Sequence, residues 1–154
     1  MLKVPVLVWE APPGSDDVVG EDWAPTDAGL PILRPRAGEP VILPVEKVAG
    51  TKNPFAMGVT IGRVETNDIA IDDASVSRFH AWLQHDERAA AWFLTDAESK
   101  NGTWVDDVKL AASARTKLRD GAVIRLGDVH TSFLMPERLL TWIRDQSTSR
   151  TAPK

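Results

Sequence analysis

From about residue 41 onward, the chain is a succession of short apolar segments separated by turn residues, and this pattern constrains the fold most. Each segment is rich in Val, Ile, Leu, Trp or Phe, which suit a pleated, half-buried surface. Pairs such as Asn101-Gly102 and Asp120-Gly121 separate them and favour tight turns, because glycine has no Cβ. We therefore expect an all-β sandwich or barrel, with strands at residues 41–48, 57–61, 69–71, 80–85, 91–96, 103–105, 122–126 and 130–135.

The two ends of the chain differ from this middle part. Seven of the 11 prolines lie in residues 1–40, and proline removes a backbone donor and fixes φ. We expect residues 1–40 to form an extended arm with one short strand near 4–9 and to supply no central strand. At the other end, Pro136 precedes an apolar pattern that predicts a short helix at 136–147, followed by a frayed tail at 148–154.

Composition and charge exclude several classes of protein. The 154 residues are 43% hydrophobic and contain no cysteine, which rules out disulfides and thiolate metal sites. No apolar run approaches the roughly 18–20 residues of a membrane span, and the N-terminus does not resemble a secretory signal. With 18 basic and 22 acidic residues, the net charge is −4. We expect no nucleic-acid or membrane partner, a cytoplasmic location and, from the Arg-rich, small-residue composition, a bacterial source.

Three polar clusters fall in turns between the expected strands, where a rigid sandwich can bring side chains together. They are Gly62-Arg63, residues 75–80 and residues 99–103. Together they supply two guanidiniums, an ammonium, several hydroxyls and a side-chain amide. Charged donors and hydroxyls suit phosphate oxygens, and an amide side chain pairs well with a peptide backbone. This combination indicates a site for a phosphorylated peptide.

Four ordered stretches carry a resemblance to a known family: IGRVETNDIAIDDASVSRFHAWL, DAESKNGTWVDDVKL, LRDGAVIRLGD and SFLM. Their glycine-arginine, serine-x-x-histidine and asparagine-glycine pieces, with the D-G-x-x-I-x-L-G-D pattern of Asp120 to Asp128, resemble the forkhead-associated (FHA) domain. That family reads phosphothreonine peptides, and FHA domains use Arg clusters for this. The resemblance covers residues 41–135 and implies a two-sheet β-sandwich of the FHA type.

The resemblance also implies roles for individual residues. Arg63 matches the arginine that contacts the phosphate, and Ser77 matches the serine whose hydroxyl donates to a phosphate oxygen. Arg78 stands near the phosphate or the peptide backbone, and Lys100 adds charge at a variable position. Asn101 matches the asparagine that hydrogen-bonds the peptide main chain. Three further motif positions are expected to shape the loops without touching ligand: Gly62, His80 and Gly102.

The implied function is that of a non-catalytic adaptor that binds phosphothreonine proteins, either substrates of a Ser/Thr kinase or the kinase itself. We expect no cofactor and no metal, because the carboxylates lack calcium-loop spacing, and we interpret turn carboxylates such as Asp68 as solvated.

Three alternatives stay open at this point. The domain could dock proteins without phosphate. It could be regulated by a phosphorylated threonine of its own arm or tail, at Thr26, Thr148 or Thr151. The third is a hydrolase that uses Ser77 and His80. It is disfavoured because it has no nucleophile elbow and because residues at i and i+3 of an extended segment point in opposite directions.

Overall fold

The protein is described by a computed structural model that covers residues 4–11, 35, 39–47 and 58–151, with only the backbone described for 147–151. These residues form eleven strands and one helix. In chain order they are β1 (Val6–Trp9), β2 (Val41–Pro44), β3 (Val59–Gly62), β4 (Ile69–Ala70), β5 (Ala81–Asp86), β6 (Ala91–Asp96), β7 (Thr103–Val105), β8 (Val108–Lys109), β9 (Arg115–Leu118), β10 (Val123–Leu126), β11 (Val129–Leu134) and α1 (Pro136–Thr151).

The strands form two sheets. The first has six strands in the order β2-β1-β11-β10-β7-β8, and the second has five in the order β4-β3-β5-β6-β9. Neighbouring strands are antiparallel except β3 and β4, which run parallel. The expected all-β, two-sheet sandwich is therefore confirmed.

The core lies between the two sheets and is built from alternate residues of their strands. Leu7 of β1 and Phe133 of β11 point inward from the first sheet, and Ile61, Leu83 and Leu94 do so from the second; each is at most 1% exposed. Because side chains alternate along a strand, the neighbours of these residues face outward. The register of every long strand is thus fixed by which of its faces is apolar.

The expectation that residues 1–40 supply no central strand is wrong. Strand β1 lies between β2 and β11 in the six-stranded sheet, and all four of its residues are buried. Pro5 stands just before it, so Val6–Trp9 keep the backbone donors that a central strand needs. The strand expected near residues 4–9 is therefore present, but as part of the sandwich. Most of the expected arm lies outside the described residues.

Eight of the other strands lie where the sequence pattern placed them, with ends shifted by a few residues. Strands β8 and β9 were not expected. Both residues of β8 are exposed, and in β9 only Leu118 is buried. Because both strands lie at sheet edges and are largely solvent-facing, they lack the apolar signal that marks a strand in sequence.

The C-terminal helix covers the part of the outer face of the six-stranded sheet that is formed by β1 and the end of β11. Leu139 and Trp142 of α1 pack against Val6 and Val8 of β1 and against Leu134. The helix continues to Thr151, so the prediction that it ends at 147 and gives way to a frayed tail at 148 is wrong; residues 152–154 lie outside the described part. No helix in the described part of the chain is long and apolar enough to cross a membrane.

Asp68 is buried, which contradicts its interpretation as a solvated turn residue. Its side chain is 0% exposed and lies 2.7 Å from Lys47 Nζ. The same carboxylate oxygen accepts hydrogen bonds from Thr60 N, at 2.9 Å, and from Thr60 Oγ1, at 3.2 Å. A carboxylate taken out of water needs such partners, because burying it without them is costly. Asp68 therefore joins β4 to β3 and to the segment after β2.

Replacing this carboxylate should destabilise the sandwich. We expect Asp68→Ala to lower the free energy of unfolding by about 2–4 kcal/mol, because it leaves buried donors of Thr60 without an acceptor. Urea denaturation measures the change. The matched control is Asp128→Ala, an exposed aspartate whose loss should change stability by no more than about 0.5 kcal/mol. Equal effects of the two substitutions would contradict the structural role of Asp68.

Candidate functional site

The three polar clusters meet at one end of the sandwich. The end of β3 and the start of β5 are adjacent, since Ile61 pairs with Ala81. In the other sheet, the start of β7 is adjacent to the end of β10, since Thr103 pairs with Leu126. The loops that precede β5 and β7 therefore lie side by side, beside the turn after β10.

The segment after β3 is held against the loop that precedes β5. Arg63 N donates to Ser77 O at 2.9 Å, and Asn67 Nδ2 donates to Arg78 O at 2.6 Å. A Cβ on Gly62 would lie only 2.0 Å from Arg78 O, so this close approach requires glycine. The loops thus place Arg63 next to Ser77 and Arg78.

His80 joins the two main loops of the site. Its ring is fully buried, with Nδ1 accepting a hydrogen bond from Ser77 N at 3.0 Å and Nε2 lying 2.9 Å from Gly102 O. Because a carbonyl only accepts, Nε2 carries the proton and the ring is neutral. Burial lowers the pKa of His80, and this outweighs the opposing effects of the Gly102 carbonyl and of Asp96. Both ring nitrogens are occupied by backbone, which leaves none to act as a base toward the Ser77 hydroxyl.

Two hydrogen bonds tie the loop at 99–102 to the loop at 75–77. Lys100 N donates to Ser77 Oγ at 3.0 Å, and Asn101 Nδ2 donates to Ser75 O at 2.8 Å. Since the Ser77 oxygen accepts from Lys100, its own hydroxyl proton is available to donate elsewhere. All of the residues expected in the site are brought together at this end: Arg63, Ser77, Arg78, Lys100 and Asn101 near the surface, with Gly62, His80 and Gly102 buried beneath them.

Ser75 is a structural residue of the site that motif reasoning did not single out. Its hydroxyl donates to Asp73 Oδ1 at 2.7 Å and accepts from Asp128 N at 2.9 Å. A Cβ on Gly127 would come within 2.4 Å of Ser75 O. Ser75 therefore joins the two sheets, and the nearness of Ser75 to the serine-x-x-histidine piece was its only signal in the sequence.

Asp96 orders the start of the second loop in a similar way. Its buried carboxylate accepts hydrogen bonds from Ser99 Oγ at 2.5 Å, from Ser99 N at 3.1 Å and from Thr103 Oγ1 at 2.7 Å. Gly102 N in turn donates to Ser99 Oγ. The spacing of these residues in the sequence does not indicate the network. The hydrogen bonds depend on the shape of the turn, and that shape is determined by the fold.

Comparison with known proteins identifies the domain. The family model for the FHA domain matches residues 59–127. The chain contains an FHA domain. Its matching segment is 37% identical over 78 residues to an FHA domain-containing protein of Arabidopsis thaliana, covering 50% of this chain and 19% of that protein. It is 32% identical over 69 residues to FHA domain-containing protein FhaB of Mycolicibacterium smegmatis, covering 45% of this chain and 42% of that protein.

The FHA fold extends beyond the matched segment. The N-terminal FHA domain of Rad53p from S. cerevisiae, solved with a phosphothreonine peptide, superimposes with a TM-score of 0.54. The superposition covers 88% of this chain and 96% of that one at 17% identity. This chain therefore shares the whole fold with that domain, whereas it spans less than half the length of the two curated relatives.

Within the described part of the chain, the basic residues of the FHA site form no ion pairs, unlike several basic residues elsewhere. Among the residues that the structure describes, ion pairs join lysines or arginines to Asp68, Asp86, Asp106 and Asp120. Arg63, Arg78 and Lys100 have no such partner in that part of the chain; Arg63 is half-buried and the other two are exposed. Their charge is thus available to an anion.

Protonation of His80 should loosen the site in mild acid. Because its folded-state pKa lies below the ordinary value of 6.5, the unfolded chain takes up the proton first. The contribution of His80 to stability is therefore complete above pH 6.5 and is lost as the pH falls below it. Between pH 7.5 and 5.5 we expect the free energy of unfolding to fall by about 1 kcal/mol from this residue.

Urea denaturation at the two pH values measures this effect. In His80→Gln the difference between the two values should shrink by that amount, because the substitution removes this imidazole and leaves every other residue unchanged. An NMR titration of the unmodified protein tests the same point directly. A ring of His80 that protonates at or above pH 6.5 would contradict the neutral, bridging role.

Proposed function

We propose that this FHA domain is a non-catalytic module that binds phosphothreonine in a partner protein. In this proposal Arg63 and Ser77 hold the phosphate, and Arg78 and Lys100 add positive charge beside it. Asn101 hydrogen-bonds the peptide main chain next to the phosphothreonine. The observation that carries the proposal is that three basic residues without an ion pair among the described residues lie in adjacent loops, beside a hydroxyl whose proton is free to donate.

The orientation of the Ser77 hydroxyl supports its assigned role. Because Lys100 N occupies one lone pair of Oγ, the position of the oxygen is fixed and its proton is left for a ligand. A phosphothreonine carries about −1.5 to −2 charges and three strong acceptor oxygens. An arginine beside this hydroxyl can supply two further donors in a planar fork. The donors therefore match an anion with several acceptor oxygens.

The side chain of Asn101 is fixed in the same manner. Its Nδ2 donates to Ser75 O, which orients the amide, and the side chain remains exposed. An exposed amide oxygen held in one orientation is a good acceptor for a backbone N–H of a peptide. This geometry supports recognition of the main chain, which carries no sequence preference of its own.

The expected affinity is moderate. Hydrogen bonds to a charged group are each worth roughly 1.5–3 kcal/mol, and we expect three or four of them. Part of their combined binding free energy is offset by the cost of ordering a flexible peptide. The balance corresponds to about micromolar binding, near −8 kcal/mol. Binding of this strength suits a reversible adaptor, and it should weaken with salt because the site is at the surface.

Similar proteins support the same role. The N-terminal FHA domain of Rad53p was solved with a phosphothreonine peptide. EmbR of Mycobacterium tuberculosis, which superimposes on this chain with a TM-score of 0.50, was solved with a low-affinity phosphopeptide. We infer that the partners are substrates of a Ser/Thr kinase or the kinase itself. A cytoplasmic location and a bacterial source stay predictions.

Substitutions in the two phosphate-binding residues test the proposal. We expect a phosphothreonine peptide selected from an oriented library to bind with micromolar affinity, and its unphosphorylated version not to bind. Arg63→Ala and Ser77→Ala should each weaken binding by at least about tenfold, because each removes a charge-assisted hydrogen bond. Isothermal titration calorimetry measures the affinities.

The matched control is Arg88→Ala. Arg88 follows β5 at the opposite end of the sandwich, is exposed and has no ion pair in the described residues. Its loss should leave affinity unchanged, and thermal melts should show that all three variants are folded. Binding that survives both Arg63→Ala and Ser77→Ala, or equal binding of the unphosphorylated peptide, would refute the proposal and favour phosphate-independent docking.

Self-regulation by a threonine of the chain is a less supported alternative. Thr26 lies outside the described residues, and Thr148 and Thr151 belong to α1 and not to a separate tail. Nothing in the described part of the chain brings a threonine of either end to the site.

A further inference from the structure

A row of basic and aromatic side chains crosses the outer face of the six-stranded sheet. Cross-strand pairing places Lys109 of β8 opposite Trp104 of β7, Trp104 opposite Arg125 of β10, and Arg125 opposite His130 of β11. Directly opposed residues share one face of a sheet. Ile124, the neighbour of Arg125, is fully buried, so the row faces solvent.

Trp104 holds the two permanent charges of this row in place. Lys109 Nζ lies 5.6 Å from the centre of its ring, and Arg125 Cζ lies 4.2 Å from it, both distances typical of cation–π contacts. Arg125 Nε also donates to Gly127 O at 2.8 Å. Neither Lys109 nor Arg125 has an acidic partner among the residues that the structure describes. Their charges are therefore oriented but not neutralised.

The row begins at the loop that carries Asn101. A Cβ on Gly102 would lie 3.0 Å from Lys109 Cε and 3.0 Å from Trp104 Cη2, so both side chains contact the residue after Asn101. An extended peptide advances about 3.3 Å per residue. Because Lys109 contacts the residue after Asn101, a peptide whose main chain contacts Asn101 would reach Lys109 within about two to four residues, and Arg125 lies against the same Trp104 ring.

We propose that this row, Lys109, Trp104, Arg125 and His130, binds acidic side chains of the same phosphorylated segment, two to four residues from the phosphothreonine. The inference rests on the proposed function and adds a preference to it. Carboxylates are the complementary partner because they pair with a guanidinium fork and an ammonium at once, and the row presents no acid of its own.

The test compares phosphothreonine peptides with different flanks. One peptide has neutral flanking residues, a second has aspartates two to four residues before the phosphothreonine, and a third has them after it. At low salt we expect one of the two acidic peptides, the one whose aspartates reach the row, to bind the unmodified protein about threefold to tenfold more tightly than the neutral peptide. A gain of this size is what a few exposed ion pairs provide. In Lys109→Glu this gain should disappear.

Lys117→Glu is the matched control. Lys117 of β9 is exposed on the other sheet and also lacks an ion pair in the described residues, so the substitution changes the net charge equally. It should retain the gain for the acidic peptide. Lys109 is the better site for the test than Arg125, since Arg125 Nε holds Gly127 O, whereas the Lys109 side chain makes no such bond to a loop among the described residues.

The outcomes distinguish failure of the acidic preference from failure of the proposed phosphothreonine binding. Failure of the neutral phosphothreonine peptide to bind would refute the proposed function. Binding of the neutral peptide without any gain from either acidic flank would overturn the acidic preference alone. An equal loss of the gain in Lys109→Glu and Lys117→Glu would also overturn it, because the effect would then come from overall charge and not from this row.

Discussion

The site depends on one buried imidazole. His80 accepts a hydrogen bond from Ser77 N and donates one to Gly102 O. It therefore fixes the distance between the loop that precedes β5 and the loop that precedes β7, two strands of different sheets. No other neutral side chain offers an acceptor and a donor on opposite sides of a rigid ring. Burial keeps the ring neutral by lowering its pKa, and the neutral form is the one that makes both bonds. Protonation of Nδ1 therefore removes the bond from Ser77 N and weakens the link between the two loops.

Backbone contacts build this site, and side chains that take no part in them are left for a ligand. The glycines at 62, 102 and 127 permit close approach between loops, and carbonyl groups of residues 75, 77, 78 and 102 accept the bonds that hold them. Because the framework is made largely of main chain, the arginine and lysine side chains at its rim take no part in these bonds. We therefore expect their replacement to leave the fold intact.

The sequence indicated the sandwich well, and it placed in turns the candidate residues that the structure brings to one end of the sandwich, since both depend on local signals. Alternating apolar segments mark strands, and glycine-arginine or asparagine-glycine pieces mark turns with special backbone needs. It did not indicate β1 as a central strand, because proline density obscured four suitable residues. It also missed β9, whose polar residues pair at an edge, and the burial of Asp68. These features follow from which strands become neighbours, and that is a property of the whole fold.

In this chain of net charge −4, two carboxylates near the site, those of Asp73 and Asp96, are engaged with neutral groups and not with the basic side chains beside them. Asp73 accepts hydrogen bonds from the Ser75 hydroxyl and backbone, and Asp96 accepts from Ser99 and Thr103. The hydrogen bonds that these two carboxylates accept hold the shape of their loops. The nearby arginine and lysine side chains form no ion pair among the residues that the structure describes. In the proposed complex, an incoming phosphate would therefore displace no ion pair of those residues, and its attraction to the site would not be offset by breaking one.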